Sequence, residues 1–148
     1  MLAPQVQRHP QKGISVNGAL RFTARRGVII CIQLLIAAAH VIGIGRYLEG
    51  DLAVLHRSYF SDIVIPFGYY FLLCLNRYPW PILNHAATKA AAVFLMAAAA
   101  ETLQYLGIWA LGSTFDPLDY VMYAAGAACA ALVDTQVFPR VFDFWQAG

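Results

Sequence analysis

Four long apolar segments place the strongest constraint on how this chain can fold. They cover residues 27–45, 59–75, 86–109 and 118–138. As a helix, the first would be about 29 Å long, which just crosses the hydrocarbon core of a bilayer. Backbone N–H and C=O groups in lipid must be hydrogen-bonded within the protein, so helices are the expected form. The sequence therefore predicts an all-α, polytopic membrane protein built as a bundle of four transmembrane helices.

The composition agrees with a membrane location. Hydrophobic residues make up 60% of the chain and charged residues only 12%, which is about half the charged fraction of a soluble domain. A basic polar arm, 1–26, precedes the first span, and an aromatic tail, 139–148, follows the last. The arm lacks interleaved aromatic residues, so we expect attraction to anionic lipid rather than a nucleic-acid partner.

The distribution of Lys and Arg predicts the orientation. With four spans, the arm, the loop between spans two and three, and the tail lie on one side. The opposite side holds only Arg46 and Arg57. The positive-inside rule then places both termini in the cytoplasm of a multi-pass inner-membrane protein. This prediction depends on Pro66 not splitting span two into a re-entrant hairpin.

Several polar side chains are predicted at membrane depth, where an ionisable group is costly unless it faces protein or water. Glu101 and Gln104 share one helix face in span three. With Asp62, Asp119 and Tyr123 they are predicted to form a polar cluster in the outer half of the bundle. The cluster is either a binding pocket, for a lipid headgroup or for acid/base chemistry at Glu101, or a hydrogen-bonded core that joins three spans. Carboxylates alone are weak evidence for catalysis, so we predict no catalytic residue and no metal site.

Two shorter patterns concern the start and the packing of the fourth span. Asp116 followed by Pro117 is typical of a helix start, with Asp as N-cap and Pro at the first helical position. Gly126 and Ala130 form a pair of small residues four positions apart, which allows close approach of another helix.

His40 follows three alanines, Ala37 to Ala39, in the first span. Small residues beside an intramembrane histidine could leave room for a haem or chlorin ring, which would make His40 a cofactor ligand. A histidine satisfied by protein hydrogen bonds is the simpler interpretation. We therefore predict no cofactor and keep pigment or haem binding as an alternative.

The chain resembles the VanZ-like family of small integral membrane proteins over about residues 59–133. That family has an Asp-Lys-x-x-His-Phe-x-x-Tyr helix, and Asp62, Phe67 and Tyr70 stand at the matching positions. It also has a Glu-x-x-Gln, Phe-Asp-x-x-Asp, Asn-x-x-Gly-x-x-x-Gly pattern. The positions that correspond to this second pattern are Glu101, Gln104, Phe115, Asp116, Asp119, Tyr123, Gly126 and Ala130.

The departures from the family pattern concern its cations. The family's Lys and His are Ile63 and Pro66 here, its Arg is missing from the turn at Ser113 and Thr114, and its Asn is Tyr123. The resemblance implies a polar core retained without the family's cationic groups. It therefore implies a protein without evident catalysis, an accessory or structural subunit that contacts the lipid bilayer and other membrane-protein subunits. The alternative is an envelope protein of the glycopeptide-resistance type with an outward-facing polar pocket.

Overall fold

The computed structural model describes residues 16–76, 78–108 and 115–146, which are helical and contain no strand. Helices account for 87% of the structure, which confirms the all-α prediction. The long helices are α1 (Val16–Ile42), α2 (Gly50–Leu73), α3 (Ala86–Tyr105) and α4 (Pro117–Leu132). A π-helical turn (Val133–Val137) and a short helix α5 (Phe138–Val141) continue α4, and 3-10 turns cover Ile44–Tyr47, Pro81–Asn84 and Asp143–Gln146.

Three helical segments are long and apolar enough to cross a membrane. They are Leu20–Ile42 in α1, Ala86–Tyr105, and Pro117–Val141, which joins α4 to α5. Helix α2 has 24 residues, or about 36 Å, and is therefore long enough. It is not among the three because residues 50–62 carry charged and polar side chains, among them Asp51, Arg57 and Asp62. A multi-pass membrane protein is thus supported.

The helix ends differ from the predicted spans. Helix α1 begins at Val16, inside the segment predicted as an arm, and α2 begins at Gly50, inside a predicted loop. Helix α3 ends at Tyr105 rather than at residue 109, because Gly107 adopts φ 75°. Its N–H and that of Ile108 bond back to the carbonyls of Gln104 and Leu103, at 2.9 Å each. This is the Schellman arrangement that terminates helices.

Helix α2 continues through Pro66, which is buried in the helix interior. The described backbone therefore contains no re-entrant break at this proline. Neighbouring helices can compensate the hydrogen bond that a proline removes. Residues 1–15 of the predicted arm, Arg77, Trp109 and the Ser113–Thr114 turn lie outside the described residues.

The bundle is organised around α4. Helices α2 and α3 both pack against it, while α1 packs against α2 and the C-terminal 3-10 turn. A Cβ atom added at Gly126 would overlap the carbonyl oxygen of Ile63 and lie 2.9 Å from its carbonyl carbon. The predicted close approach of another helix is thus confirmed at Gly126. The buried apolar cluster comprises Ile29, Tyr70, Phe71, Cys74, Val93, Ala127, Ala130 and Trp145.

Candidate functional site

Glu101 lies in the last turns of α3 and is only 1% exposed. Its Oε1 accepts a hydrogen bond from the backbone N–H of Asp116 at 2.8 Å. Its Oε2 accepts one from the hydroxyl of Tyr123 at 3.2 Å. Both carboxylate oxygens are therefore engaged with the start and the second turn of α4. The side chain links the end of α3 to the beginning of α4.

Asp116 caps α4, as the sequence predicts. Its Oδ1 accepts a hydrogen bond from the N–H of Leu118 at 2.9 Å, and Pro117 follows in the first turn. The side chain thereby satisfies one of the backbone donors that a helix start leaves without a partner. The same residue also supplies the backbone N–H that Glu101 binds, so the two interactions fix one helix end.

We expect Asp116→Ala to lower the free energy of unfolding by about 0.5–2 kcal/mol, because the cap is lost. Asp116→Asn, whose side chain caps equally well, is the matched control and should unfold close to wild type. Thermal unfolding of the purified protein in detergent measures both. Equal destabilisation by the two variants would show that the carboxylate charge, and not the cap, is what stabilises this helix end.

The structure brings Glu101 close to three of the other predicted cluster residues. Asp62 on α2 and Asp119 on the first turn of α4 are half-buried, and each interacts electrostatically with Glu101. Tyr123 joins them through its bond to Glu101. Gln104 lies one turn further along α3 and is half-buried. Asp62, Glu101, Gln104, Asp119 and Tyr123 are called the Glu101 cluster below.

The Glu101 cluster is acidic, and among the described residues no basic side chain forms an ion pair with it. The ion pair in the described part of the chain joins Arg25 and Asp134, in a different part of the bundle. No described group of three or more His, Cys, Asp or Glu residues has an arrangement that could hold a metal ion. Hydrogen bonds, and not charge pairing, are therefore what hold Glu101 in place.

His40 is exposed, and both of its ring nitrogens have protein partners. Nδ1 lies 2.8 Å from the carbonyl oxygen of Ile36, and Nε2 lies 3.2 Å from the Ser61 hydroxyl. The ring also contacts Phe60, with centroids 5.3 Å apart. Iron ligation by Nε2 would require the contact with Ser61 to break.

A second polar centre surrounds Asp134, which lies in the π-helical turn and is 9% exposed. Oδ2 accepts a hydrogen bond from the hydroxyl of Tyr70 at 2.7 Å. Oδ1 accepts one from the indole Nε1 of Trp145, also at 2.7 Å. One carboxylate thus joins α2, the end of α4 and the C-terminal 3-10 turn.

Two cationic side chains flank Asp134. The guanidinium of Arg25 lies 3.8 Å from Oδ1 and stacks on the ring of Trp145, 4.7 Å from its centroid. The ammonium of Lys89 donates to the sulfur of Cys74 at 3.5 Å, and that sulfur lies 3.8 Å from Oδ2. The Asp134 cluster is defined by Arg25, Tyr70, Cys74, Lys89, Asp134 and Trp145.

A cavity of about 480 Å³ opens beside the Asp134 cluster. It lies where α1, the end of α2, the start of α3 and the π-helical turn meet. Arg25 and Lys89 contribute its positive charge, and Asp134 its negative charge. The lining residues are Arg25, Cys74, Asn76, Asn84, His85, Ala86, Lys89, Asp134, Thr135, Pro139 and Trp145.

The Asp134 cluster is absent from the predictions made from the sequence, although two ionisable residues inside predicted spans are a signal for it. Asp134 and Lys89 are ionisable residues inside the predicted fourth and third spans, each near the end that the charge distribution places in the cytoplasm. The π-helical turn was not predicted. Pro139 has no N–H for the carbonyl of Thr135, and its ring would clash with that carbonyl in a regular α-helix. A wider π-helical turn, in which the N–H of Phe138 bonds to the carbonyl of Val133, precedes Pro139, and Asp134 within this turn is buried.

Comparisons with known proteins give no match: no family model matches the chain, and neither does a curated protein or a solved structure. The resemblance to the VanZ-like family therefore stays a prediction from the residues. Any function of this chain has to be inferred from its two polar clusters and its apolar surface.

Proposed function

We propose that this chain is a non-catalytic accessory subunit of a larger complex in the inner membrane, with four membrane-inserted helices and both termini in the cytoplasm. The proposal rests on the two hydrogen bonds that the buried carboxylate of Glu101 accepts from this protein. A catalytic acid or base must come within hydrogen-bond reach of its substrate. Glu101 is 1% exposed, and both of its oxygens bind the backbone and a side chain of this protein.

The large exposed apolar surface of α1 supports a role as a subunit. Leu34, Leu35 and Val41 are 63%, 70% and 82% exposed. In a membrane such a surface faces lipid or the helices of another protein. Within this chain, 6% of the most apolar 18-residue stretch of α1 is buried, against 17% of the corresponding stretch of α3. Of the three candidate spans, α1 therefore leaves the most surface for a partner subunit.

The arrangement of α2 favours four membrane-inserted helices. Short connections lead into and out of α2, and it packs against α1, α3 and α4. A helix with neighbours on several sides can carry more polar residues than one surrounded by lipid. Arg25, Lys89 and Arg140 all belong to the part of the bundle around the Asp134 cavity and its flanking turns, which agrees with a cytoplasmic location of that end.

Substitution of Glu101 separates a structural role from a chemical one. Glu101→Gln keeps an acceptor for the N–H of Asp116 and a polar partner for Tyr123, so we expect a loss of less than about 1 kcal/mol in unfolding free energy. Glu101→Leu leaves two buried donors unsatisfied, each at about 1–3 kcal/mol. Thermal unfolding in detergent measures both changes. A Glu101→Gln protein that is as abundant and stable as wild type, yet without function in the cell, would contradict the structural role.

Membership of a complex is tested by purification from the native membrane in a mild detergent. We expect the chain in a particle of fixed composition whose mass by light scattering exceeds that of the chain and its micelle. Bulky substitutions on the exposed face of α1, such as Leu35→Trp, should release the chain without unfolding it. A monodisperse particle containing this chain alone would contradict the proposal.

A second candidate function is an envelope protein of the glycopeptide-resistance type that handles a lipid or an antibiotic. The observation in its favour is that Asp62 and Asp119 are only half-buried beside Glu101. Polar surface is thereby left open at the edge of the Glu101 cluster. Asp119→Asn should then change glycopeptide susceptibility while the amount of protein in the membrane stays the same.

A further inference from the structure

The charges around the Asp134 cavity do not balance. Lys89 is 7% exposed, and its ammonium contacts, among the described residues, the sulfur of Cys74 at 3.5 Å and the face of Tyr70 at 6.0 Å. A thiol is a weak hydrogen-bond acceptor. A buried ammonium without an anionic partner is strongly unfavourable. The position of Lys89 therefore calls for an anion in the cavity that it lines.

Asp134 does not supply that anion. Its oxygens accept short hydrogen bonds from Tyr70 and Trp145, and Arg25 is the cation within ion-pair distance. The Nε of Arg25 is itself buried and has no hydrogen-bond partner in the described part of the chain. Arg25 is thus the cation paired with Asp134, and the ammonium of Lys89 and the Nε of Arg25 both remain available to a further acceptor.

The start of α3 adds positive potential at the same place. Ala86, its first residue, lines the cavity. His85 stands at the N-cap but makes no side-chain capping hydrogen bond. The first N–H groups of a helix have no partner within the helix, and the helix dipole favours a negative charge there. Such an end is a ready anion site when cationic side chains stand beside it.

We propose that the Asp134 cavity binds a phosphate group, with Lys89 as its main charged contact and Arg25 and the start of α3 as further donors. A tetrahedral phosphate offers several acceptor oxygens to donors that approach from different elements. The volume of about 480 Å³ exceeds one phosphate and leaves room for the group that carries it. That carrier is a phospholipid headgroup or a phosphate compound from solution. This site does not depend on membership of a complex.

The experiment uses the full chain purified in an uncharged detergent, and it records the unfolding temperature in two arms. In the first arm, inorganic phosphate is compared with chloride at equal ionic strength. In the second, micelles containing phosphatidylglycerol are compared with micelles containing diacylglycerol, which lacks the phosphate. We expect a saturable rise in at least one arm. A rise with the lipid alone identifies a headgroup, and a rise with inorganic phosphate identifies a soluble source. No rise in either arm overturns the proposal.

Variants of Lys89 then test whether the rise in unfolding temperature depends on this side chain. Lys89→Met keeps the length of the side chain and removes its charge, and it should weaken the apparent affinity about 10- to 100-fold, as expected for loss of a charge-assisted hydrogen bond. Lys89→Arg should retain the response. Arg140→Gln is the matched control, because Arg140 is exposed and bonds to Gln136. If Lys89→Met does not fold, Lys89→Gln replaces it. Equal responses of wild type and the uncharged variant would overturn the site.

Discussion

Gly126→Leu should abolish the folded bundle, the largest effect we expect from any single substitution in this chain. A side chain here meets backbone and not a movable side chain, since the first carbon would overlap the carbonyl oxygen of Ile63. Even Gly126→Ala should cost about 1–3 kcal/mol, the usual range for overpacking. Monodispersity by size-exclusion chromatography in detergent and the unfolding temperature measure the two variants.

Ala128→Leu is the matched control for Gly126. Ala128 lies on α4 as well, two residues away, and it is exposed. A leucine there should leave the unfolding temperature near that of wild type. A folded Gly126→Leu protein with wild-type stability would mean that α2 and α4 are not in close contact at this crossing.

Asp134→Ala should be the next most damaging change, with a loss of about 3–5 kcal/mol in unfolding free energy. That range is typical when one partner of a buried charge pair is removed. Here the hydroxyl of Tyr70 and the indole N–H of Trp145 also lose their acceptor. Denaturant titration in detergent, followed by tryptophan fluorescence, measures the change.

Two controls separate this effect from a general loss of charge. Asp143→Ala removes an exposed carboxylate of the same terminal region and should change stability by no more than about 0.5 kcal/mol. Tyr70→Phe removes one of the hydrogen bonds to Asp134 and should cost about 1 kcal/mol. Asp134 would not be a structural centre if its loss cost no more than that of Asp143.

The local features of this fold are those that the sequence predicts. Runs of apolar residues are sufficient to predict helices, because a membrane permits few other structures. Asp116 and Pro117 predicted the start of α4, since capping depends on adjacent residues only. Gly126 and Ala130 predicted a close crossing, because their spacing puts both on one face of a helix.

The parts that were not predicted depend on distant contacts or on competing local signals. Tyr70 and Asp134 are 64 positions apart, and no periodicity in the sequence connects them. The start of α2 differs from the prediction because Arg46, Glu49, Asp51 and Arg57 give residues 46–58 the mixed charge that is typical of a loop. The Glu101 cluster was anticipated as a group, but its main hydrogen-bond donor is a backbone N–H, that of Asp116. Backbone donors carry no signature in a sequence.

The contact between Arg25 and Trp145 has a consequence for biosynthesis. Arg25 lies near the beginning of α1, whereas Trp145, 4.7 Å away, is among the last described residues. Helix α1 therefore leaves the ribosome well before the residue that supplies its aromatic neighbour. Until translation has passed Trp145, this end of the nascent bundle stays open, and Asp134 lacks one of its donors. We expect a chain that ends before Trp145 to lack both contacts and to accumulate less in the membrane than the full chain.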